Sequence, residues 1–215
     1  MADGWRKYLG VATGSPRYEW DENDRLAMDE IKGWEGSRPA PDGNGLFGYY
    51  DSKGWPTQGY GNRVPGGKQD KSRAGELIPG LRMSFEVADS LFEKDYAHHK
   101  AGAEKGPGWG KASPRQQRGL TNLAFNMGPS WWKGWRETPK AMNAGNWAEV
   151  ARLLKLSQWY DDVGGNKYDA DPSKASDRGP YTLGLFAPAE EPERLVAAYG
   201  HGGPIRDSHE GIIGL

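Results

Sequence analysis

The spacing of apolar positions changes twice along the chain, from a helical period, through a glycine-broken aromatic run, back to helical periods. Between Asp21 and Trp34, Leu26, Ile31 and Trp34 recur at helical spacing behind early acidic residues, which predicts a helix ending at Gly36. From Leu46 to Val64 the aromatic residues are interrupted by Gly48, Gly54, Pro56, Gly59 and Gly61, the pattern of short hairpin strands. Helix signals resume after Pro79. Ser84 stands ahead of Val87, Leu91 and Phe92, and Ser113, with Pro114 in first-turn position, ahead of Leu120, Leu123, Ala124 and Met127. Thr138 and Pro139 open a short helix to Ala144, and Asn146 with Glu149 three residues on is a capping-box-like start for one helix from Trp147 to Tyr160. Residues 162–182 read as a loop, Glu190–Tyr199 as a last helix ended by Gly200, and 201–215 as a tail. The class is α+β, a small β-hairpin lobe beside a larger helical lobe. Residues 1–20 read as an N-terminal extension, 21–200 as one domain and 201–215 as a tail.

Composition narrows the class. With 215 residues, 36% hydrophobic and 27% charged, the chain can bury a sizeable core, and no apolar run reaches the ~18 to 20 residues of a bilayer span. Membrane insertion is therefore not expected, and the charged Met1–Gly10 segment is unlike a secretory signal. Zero Cys excludes disulfide scaffolds, Cys-ligated metal and thiol nucleophiles. Ten Trp and ten Tyr beside five Phe are many rings with one wet edge, which suits sugar faces as well as cores. Gly (32) and Pro (15) cluster between 36 and 80 and suggest an ordered, turn-rich lobe.

Net charge is −1, yet residues 98–140 hold eight Lys/Arg against two Asp/Glu. This basic band reads either as a solvated helix face or as a surface drawn to an anionic polymer. A nucleic-acid specialist would be basic overall, so no nucleic-acid partner is expected.

Several motif-like segments carry no chemistry. Gly43, Gly45 and Gly48 fit a dinucleotide pattern, but Pro39, Ala40, Pro41 and Asp42 stand where a strand is required, so they read as a turn. Gly61–Lys68 is one residue off a phosphate-loop spacing and lacks the following Ser or Thr. His98 and His99 point about 100° apart on a helix and would not converge on a metal, so they read as surface residues. No metal or organic cofactor is expected.

What remains is Glu35 with Asp51 and Thr57. Glu35 stands at the end of the first helix beside Trp34, and an acid next to indole is partly desolvated, which favours a retained proton. Asp51, followed by Ser52, Lys53 and Gly54, belongs to a polar turn where it stays ionised. One protonated and one charged carboxyl is the division of labour that glycosidic cleavage needs, and the Thr57 hydroxyl, six residues beyond Asp51, could hold a water. From the residues alone, two acids among 29 are weak evidence, and Glu35 as a helix-end acid with Asp51 as a turn former is the favoured reading.

The run Trp34-Glu35-Gly36, then Tyr50-Asp51-Ser52-Lys53-Gly54-Trp55-Pro56-Thr57-Gln58-Gly59-Tyr60-Gly61, closely resembles the catalytic signature of the phage-type (T4-like) lysozymes, glycoside hydrolase family 24. Asn122-Leu123-Ala124-Phe125-Asn126-Met127-Gly128 resembles that family's central helix, and Met142–Trp147 leading to Ser157–Tyr160 is a third match. The resemblance implies a lysozyme-like fold with its cleft between two lobes. It implies Glu35 as general acid, Asp51 as the base that activates water, and Thr57 as a water-positioning residue. Tyr50, Gln58, Tyr60, Asn122 and Asn126 become substrate-binding candidates, and Trp132 joins them from the Trp131, Trp132 and Trp135 ring cluster. The implied activity is a muramidase, cleaving the β-1,4 bond between N-acetylmuramic acid and N-acetylglucosamine in bacterial peptidoglycan. Inversion is implied, with the carboxyls about 6.5 to 9.5 Å apart. The expected enzyme is a monomer, made in a bacterial host cytoplasm and acting on the wall after holin-type release or specialised secretion.

Alternatives are a non-catalytic wall-binding module of the same fold and a lytic transglycosylase, which would leave Asp51 and Thr57 idle. Two features depart from the family. Ser37–Gly48 looks like an insertion at the hairpin. Gly184-Leu185 is followed by Phe186-Ala187-Pro188-Ala189 where relatives carry an Arg pair, which leaves Arg178 or Arg194 as the candidate cationic partner of Glu35.

Overall fold

The computed structural model describes residues 18–35, 37–163 and 178–187. The readings made for Arg194, Glu190–Tyr199 and the 201–215 tail lie outside them.

Two compact units divide the chain. The first takes the residues up to Gly106 together with Leu120–Trp131, and the second takes Pro107–Gly119 together with the residues from Trp132 onward. In the first unit α1 (Glu22–Glu35) precedes a four-stranded sheet made of β1 (Leu46–Tyr50), β2 (Pro56–Gln58), β3 (Asn62–Arg63) and β4 (Leu77–Met83), and α2 (Phe85–Glu104) follows. The strand order is β3-β2-β1-β4, with every described pair antiparallel. The C-terminal part of α3 (Pro114–Met127) completes the unit.

The helix after Pro79 starts at Ser84 as read, but β4 before it is not read from the sequence: the chain is extended from Leu77 through Pro79 and Gly80 as far as Met83. Pro79 has no N–H to donate, which an edge strand tolerates, and β4 is an edge. The pairing with β1 shifts register between Phe47 and Tyr49, so the proline and glycine fall in an irregular stretch of the ladder.

The face of α1 also differs from its reading. Ala27, Met28 and Ile31 are buried, while Leu26 is 46% exposed. Ala27, Met28 and Ile31 pack with Phe92 and Tyr96 of α2, and Trp20, Tyr60 and Phe125 join that cluster. A second cluster joins sheet to helix through Leu46, Met83 and Ala88, again with Tyr60 beside it. Tyr60 therefore belongs to both cores. His99 is a packing residue and not a surface histidine, because its ring lies 4.8 Å from that of Phe125 and its Nδ1 is 2.7 Å from the Asp95 carbonyl. Tyr18 stacks on Trp20 at 4.9 Å, and Trp20 meets Tyr96 edge-on at 5.2 Å, which packs the residues ahead of α1 onto α2.

Helix starts follow their sequence signals. The Ser84 hydroxyl accepts from the Val87 N–H at 3.3 Å. At α3 the Ser113 hydroxyl accepts from the Gln116 N–H at 3.4 Å, while the Gln116 side chain accepts from the Ser113 N–H at 2.9 Å, a reciprocal capping box.

The second unit holds α4 (Thr138–Ala144), α5 (Trp147–Lys155), α6 (Gln158–Asp162) and α7 (Arg178–Gly184). Asn146 caps α5 through the Glu149 N–H at 3.2 Å, as predicted. The single helix to Tyr160 is two. The chain breaks at Leu156 and Ser157, and the Ser157 hydroxyl accepts from the Tyr160 N–H at 3.3 Å to start α6. The break leaves Leu156 72% exposed while Leu154 and Trp159 on either side are buried. The loop read over 162–182 gives way to helix from Arg178, whose side chain is buried. Phe186 is buried and stacks on Trp147 at 5.9 Å, and it leaves no room for a side chain at Gly119, whose Cβ would come 2.8 Å from the ring.

One buried ionic contact fastens α1 to α2. Asp24, 5% exposed, accepts from the Tyr96 hydroxyl at 2.9 Å and from the Lys100 ammonium at 2.8 Å. Replacing one partner of such a group strands the others in a low-dielectric setting. Asp24→Asn is expected to lower unfolding free energy by about 2–4 kcal/mol, read from the urea midpoint at constant slope.

Candidate functional site

Hairpin geometry places the first group of candidate residues. Tyr49 pairs with Thr57 and Tyr50 with Pro56 across β1 and β2, and the Asp51 N–H donates to the Trp55 carbonyl at 2.8 Å, which carries the register one pair further. Strand side chains alternate, so Tyr49, Asp51, Trp55 and Thr57 share one face of the sheet. Arg63, opposite Thr57 on β3, shares it too. The other face carries Leu46, Gln58 and Asn62. It is turned toward α2, since the Asn62 amide donates to Asp95 at 2.7 Å and Leu46 packs on Ala88.

The Asp51 carboxylate is held by its own turn. Its Oδ1 accepts from the Lys53 and Trp55 N–H groups, each at 2.8 Å, and the Gly54 N–H donates to the Asp51 carbonyl at 2.9 Å. Both bonds use one carboxylate oxygen. Thr57 is 2% exposed, and its hydroxyl donates to the Trp55 carbonyl at 3.1 Å, which leaves the oxygen lone pairs to accept.

Glu35 closes α1 and comes against the β2–β3 turn. Gly61 there has φ +91°, and a Cβ at that position would lie 3.3 Å from Glu35 Oε2, so the turn is glycine both for its backbone and for this approach. Tyr49 connects the two acids. Burial pushes its hydroxyl pKa upward, Arg38 opposes the shift, and the charges of Glu35 and Asp51 both add to it, so Tyr49 lies within electrostatic reach of both carboxylates. The Arg38 guanidinium sits 5.1 Å from the centre of the Tyr49 ring.

The remaining candidates separate. Tyr50 points to the opposite side of β1 from Asp51, and Arg73 covers its ring at 4.5 Å. Gln58 is buried on the helix-facing side, out of phase with Thr57, and its Oε1 has no hydrogen-bond partner. Tyr60 meets Phe92 edge-on at 5.5 Å, with the Lys32 ammonium 5.0 Å from its ring. Asn122 is buried and Asn126 exposed, one turn apart on α3. Trp132 is half-buried in the second unit, in a 3₁₀ turn over Trp131–Gly134 whose first residue is buried. Arg178 also belongs to the second unit. Sequence reasoning missed Tyr49 and Arg38 as site residues. The signal for Tyr49 was available, because it stands two residues before Asp51 on a strand. Arg38 was not legible, because its placement depends on how the 37–48 segment folds.

That segment is ordered by its own bonds. The Ala40 N–H donates to the Gly45 carbonyl at 2.8 Å, Pro39 bridges Leu46, and Asp42 takes a two-pronged ion pair from Arg82 of β4. The arginine holds the Asp42 carboxyl below its usual range. Among the described residues no helix is long and apolar enough to cross a membrane, and no group of three or more His, Asp or Glu is placed to hold a metal ion.

A helix ending in an acid, then a small antiparallel sheet with a carboxylate at its first hairpin, then helices, is the lysozyme-like class of α+β protein. The endolysin from Escherichia coli O157:H7 phage FAHEc1 has this fold, at TM-score 0.50 and 21% identity over 80% of this chain and 96% of that one. The pre-baseplate central spike protein Gp5 of Enterobacteria phage T4 is 29% identical over 161 residues, which are 67% of this chain and 27% of that protein. The chain thus spans about a quarter of the length of this curated relative. The phage lysozyme family matches residues 32–170, and the chain belongs to it.

Tyr60 offers a test of the site's packing. Burial, followed by the charge and hydrogen bond of Asp89, pushes its hydroxyl up to about 12 from an ordinary value of 10. A pKa raised on folding stabilises below the unfolded value and is lost as pH climbs through the folded one. Stability should therefore fall between about pH 10 and 12, and Tyr60→Phe should flatten that part of the stability curve, measured by denaturant unfolding at each pH.

Proposed function

We propose that the protein is a peptidoglycan hydrolase, a muramidase that cleaves the β-1,4 bond between N-acetylmuramic acid and N-acetylglucosamine with inversion. The observation that carries this reading is the joint placement of two acids. Asp51 is held in a hairpin turn on the same sheet face as Thr57, and Tyr49 on that face lies within electrostatic reach of both Asp51 and Glu35. Membership of the phage lysozyme family supports it.

Glu35 donates its proton to the glycosidic oxygen as the bond to the anomeric carbon breaks, and the departing sugar leaves as an alcohol. Asp51 accepts a proton from a water on the opposite face, and the resulting hydroxide equivalent bonds to the anomeric carbon. Thr57, donating to the Trp55 carbonyl, keeps a lone pair to accept from that water. Water and the two carboxyls balance the reaction, so the proposal needs no cofactor. Of the substrate-binding candidates, Asn126 is the exposed one, suited to hydrogen-bonding sugar amides. The proposed route to the wall is holin-type release or specialised secretion, with the protein acting as a monomer.

Glu35→Gln should lower the release of reducing ends from purified peptidoglycan by ~100- to 10,000-fold while moving the melting temperature little, because the amide keeps the shape and lacks the proton. Asp51→Asn should abolish most activity as well. Near wild-type clearance by Glu35→Gln would sink the assignment, and anhydro-muropeptides as the released products would replace hydrolysis by transglycosylation.

A further inference from the structure

Four cations on the first unit each have an acidic partner. Lys32 pairs with Asp89, Arg73 with Glu76, Arg82 with Asp42 and Lys100 with Asp24. Three others gather around the Asp51 hairpin. Lys53, Arg63 and Lys68 are exposed, and none of them forms an ion pair with any described residue. Two of them crowd one indole, with the Arg63 guanidinium 5.0 Å and the Lys68 ammonium 6.0 Å from the centre of the Trp55 ring.

The placement is built into the backbone. The Gln69 N–H donates to the Gly54 carbonyl at 2.8 Å, and Gly54 has φ +84° with room for no side chain, since a Cβ would fall 2.2 Å from the Gln69 carbonyl oxygen. The Gly66–Asp70 segment is thereby pinned to the Asp51 turn, which brings Lys68 beside Trp55. Lys53 is within that turn, and Arg63 is fixed by pairing with Thr57. Like charges gathered this closely repel, and the ring faces offset only part of that cost. Phosphate-loop geometry is not the explanation, because only a three-residue 3₁₀ turn, Lys71–Arg73, capped by the acidic Asp70, follows Gly61–Lys68.

We propose that Lys53, Arg63 and Lys68 around Trp55 form a subsite for a carboxylate of the peptide stems carried by the glycan strand, next to the bond that Asp51 and Thr57 address. The subsite rests on the muramidase reading. Trp55 presents an apolar ring for the stem or sugar, and the cations take the acidic group. A glycan strand bearing stems is thus preferred over the same strand without free carboxylates. The basic band at 98–140 is a different surface, where Arg136 and Lys140 are both paired with Glu137.

The test uses the full chain carrying Glu35→Gln, so that binding is read without turnover. The probes are a soluble wall tetrasaccharide with tetrapeptide stems and the same fragment with its carboxyls converted to amides. Titration calorimetry at low salt should show Arg63→Gln with Lys68→Gln weakening the free-carboxyl fragment about 5- to 10-fold and leaving the amidated one unchanged. The loss should shrink at 0.15 M salt, and Arg63→Lys with Lys68→Arg should retain affinity. Equal weakening of both fragments, or none, overturns the subsite. So does weakening seen only toward a poly(glycerol phosphate) probe, which would mark a phosphate-polymer surface. On the otherwise wild-type chain, the Gln pair should lower turnover of stem-bearing strands. Unchanged turnover there would leave the muramidase standing without the subsite, whereas absence of reducing-end release by the wild type would remove both.

Discussion

The constraint on which the site depends is the closure of the first hairpin by Asp51. One oxygen of its carboxylate takes the Lys53 and Trp55 N–H groups, and the backbone of Asp51 pairs with Trp55, so the turn and the strand register are set together. A slip of one residue between β1 and β2 would send Tyr49 and Thr57 to opposite faces. Because the turn bonds engage Oδ1, the same residue can close the hairpin and still present an oxygen to chemistry. The two sequence readings of Asp51, turn former and catalytic base, are therefore compatible.

Holding that hairpin against the helices is a separate task, and it falls to Tyr60 and Gly61. Tyr60 contributes to both hydrophobic clusters, under Lys32 of α1 and against Phe92 of α2. The next residue, Gly61, has φ +91° and comes so close to Glu35 that a Cβ there would lie 3.3 Å from its Oε2. Packing and proximity to the acid are thus set by neighbouring residues, which ties the position of Glu35 to the same turn that anchors the sheet. Tyr60 reads accordingly as the anchor of the hairpin, whatever it contributes to substrate.

Charge is distributed by the same economy. Asp24, Asp42, Glu76 and Asp89 each take a cation and hold an element in place, while Lys53, Arg63 and Lys68 are exposed around Trp55 and the Asp51 turn. The 37–48 segment belongs to both groups. Its Asp42 locks to Arg82 of β4, and its Arg38 lies over the Tyr49 ring.

Local patterns in the sequence determined the helix starts, because a cap is a contact over three residues: Ser84, Ser113, Asn146 and their partners bond as their spacing predicts. The motif residues Glu35, Asp51 and Thr57 were legible for the same reason, each being placed by a helix end or by the residues of one hairpin. Tertiary structure decided the rest. β4 was hidden because Pro79 and Gly80 oppose strand locally, and only an edge position with an irregular register admits them. The break at Leu156 and Ser157 carries a local cap signal, Ser157 three residues before Tyr160, but the apolar positions on both sides read as one helix when the cap is passed over. Leu26 fits the helical period and still faces outward, because which stripe of α1 is covered is settled by Phe92 and Tyr96, some seventy residues away. Arg38 reaches Tyr49, and Lys68 reaches Trp55, only through backbone bonds between segments that the sequence keeps apart. Local chemistry is written in neighbours, whereas the surroundings of a site are written in contacts that only the folded chain makes.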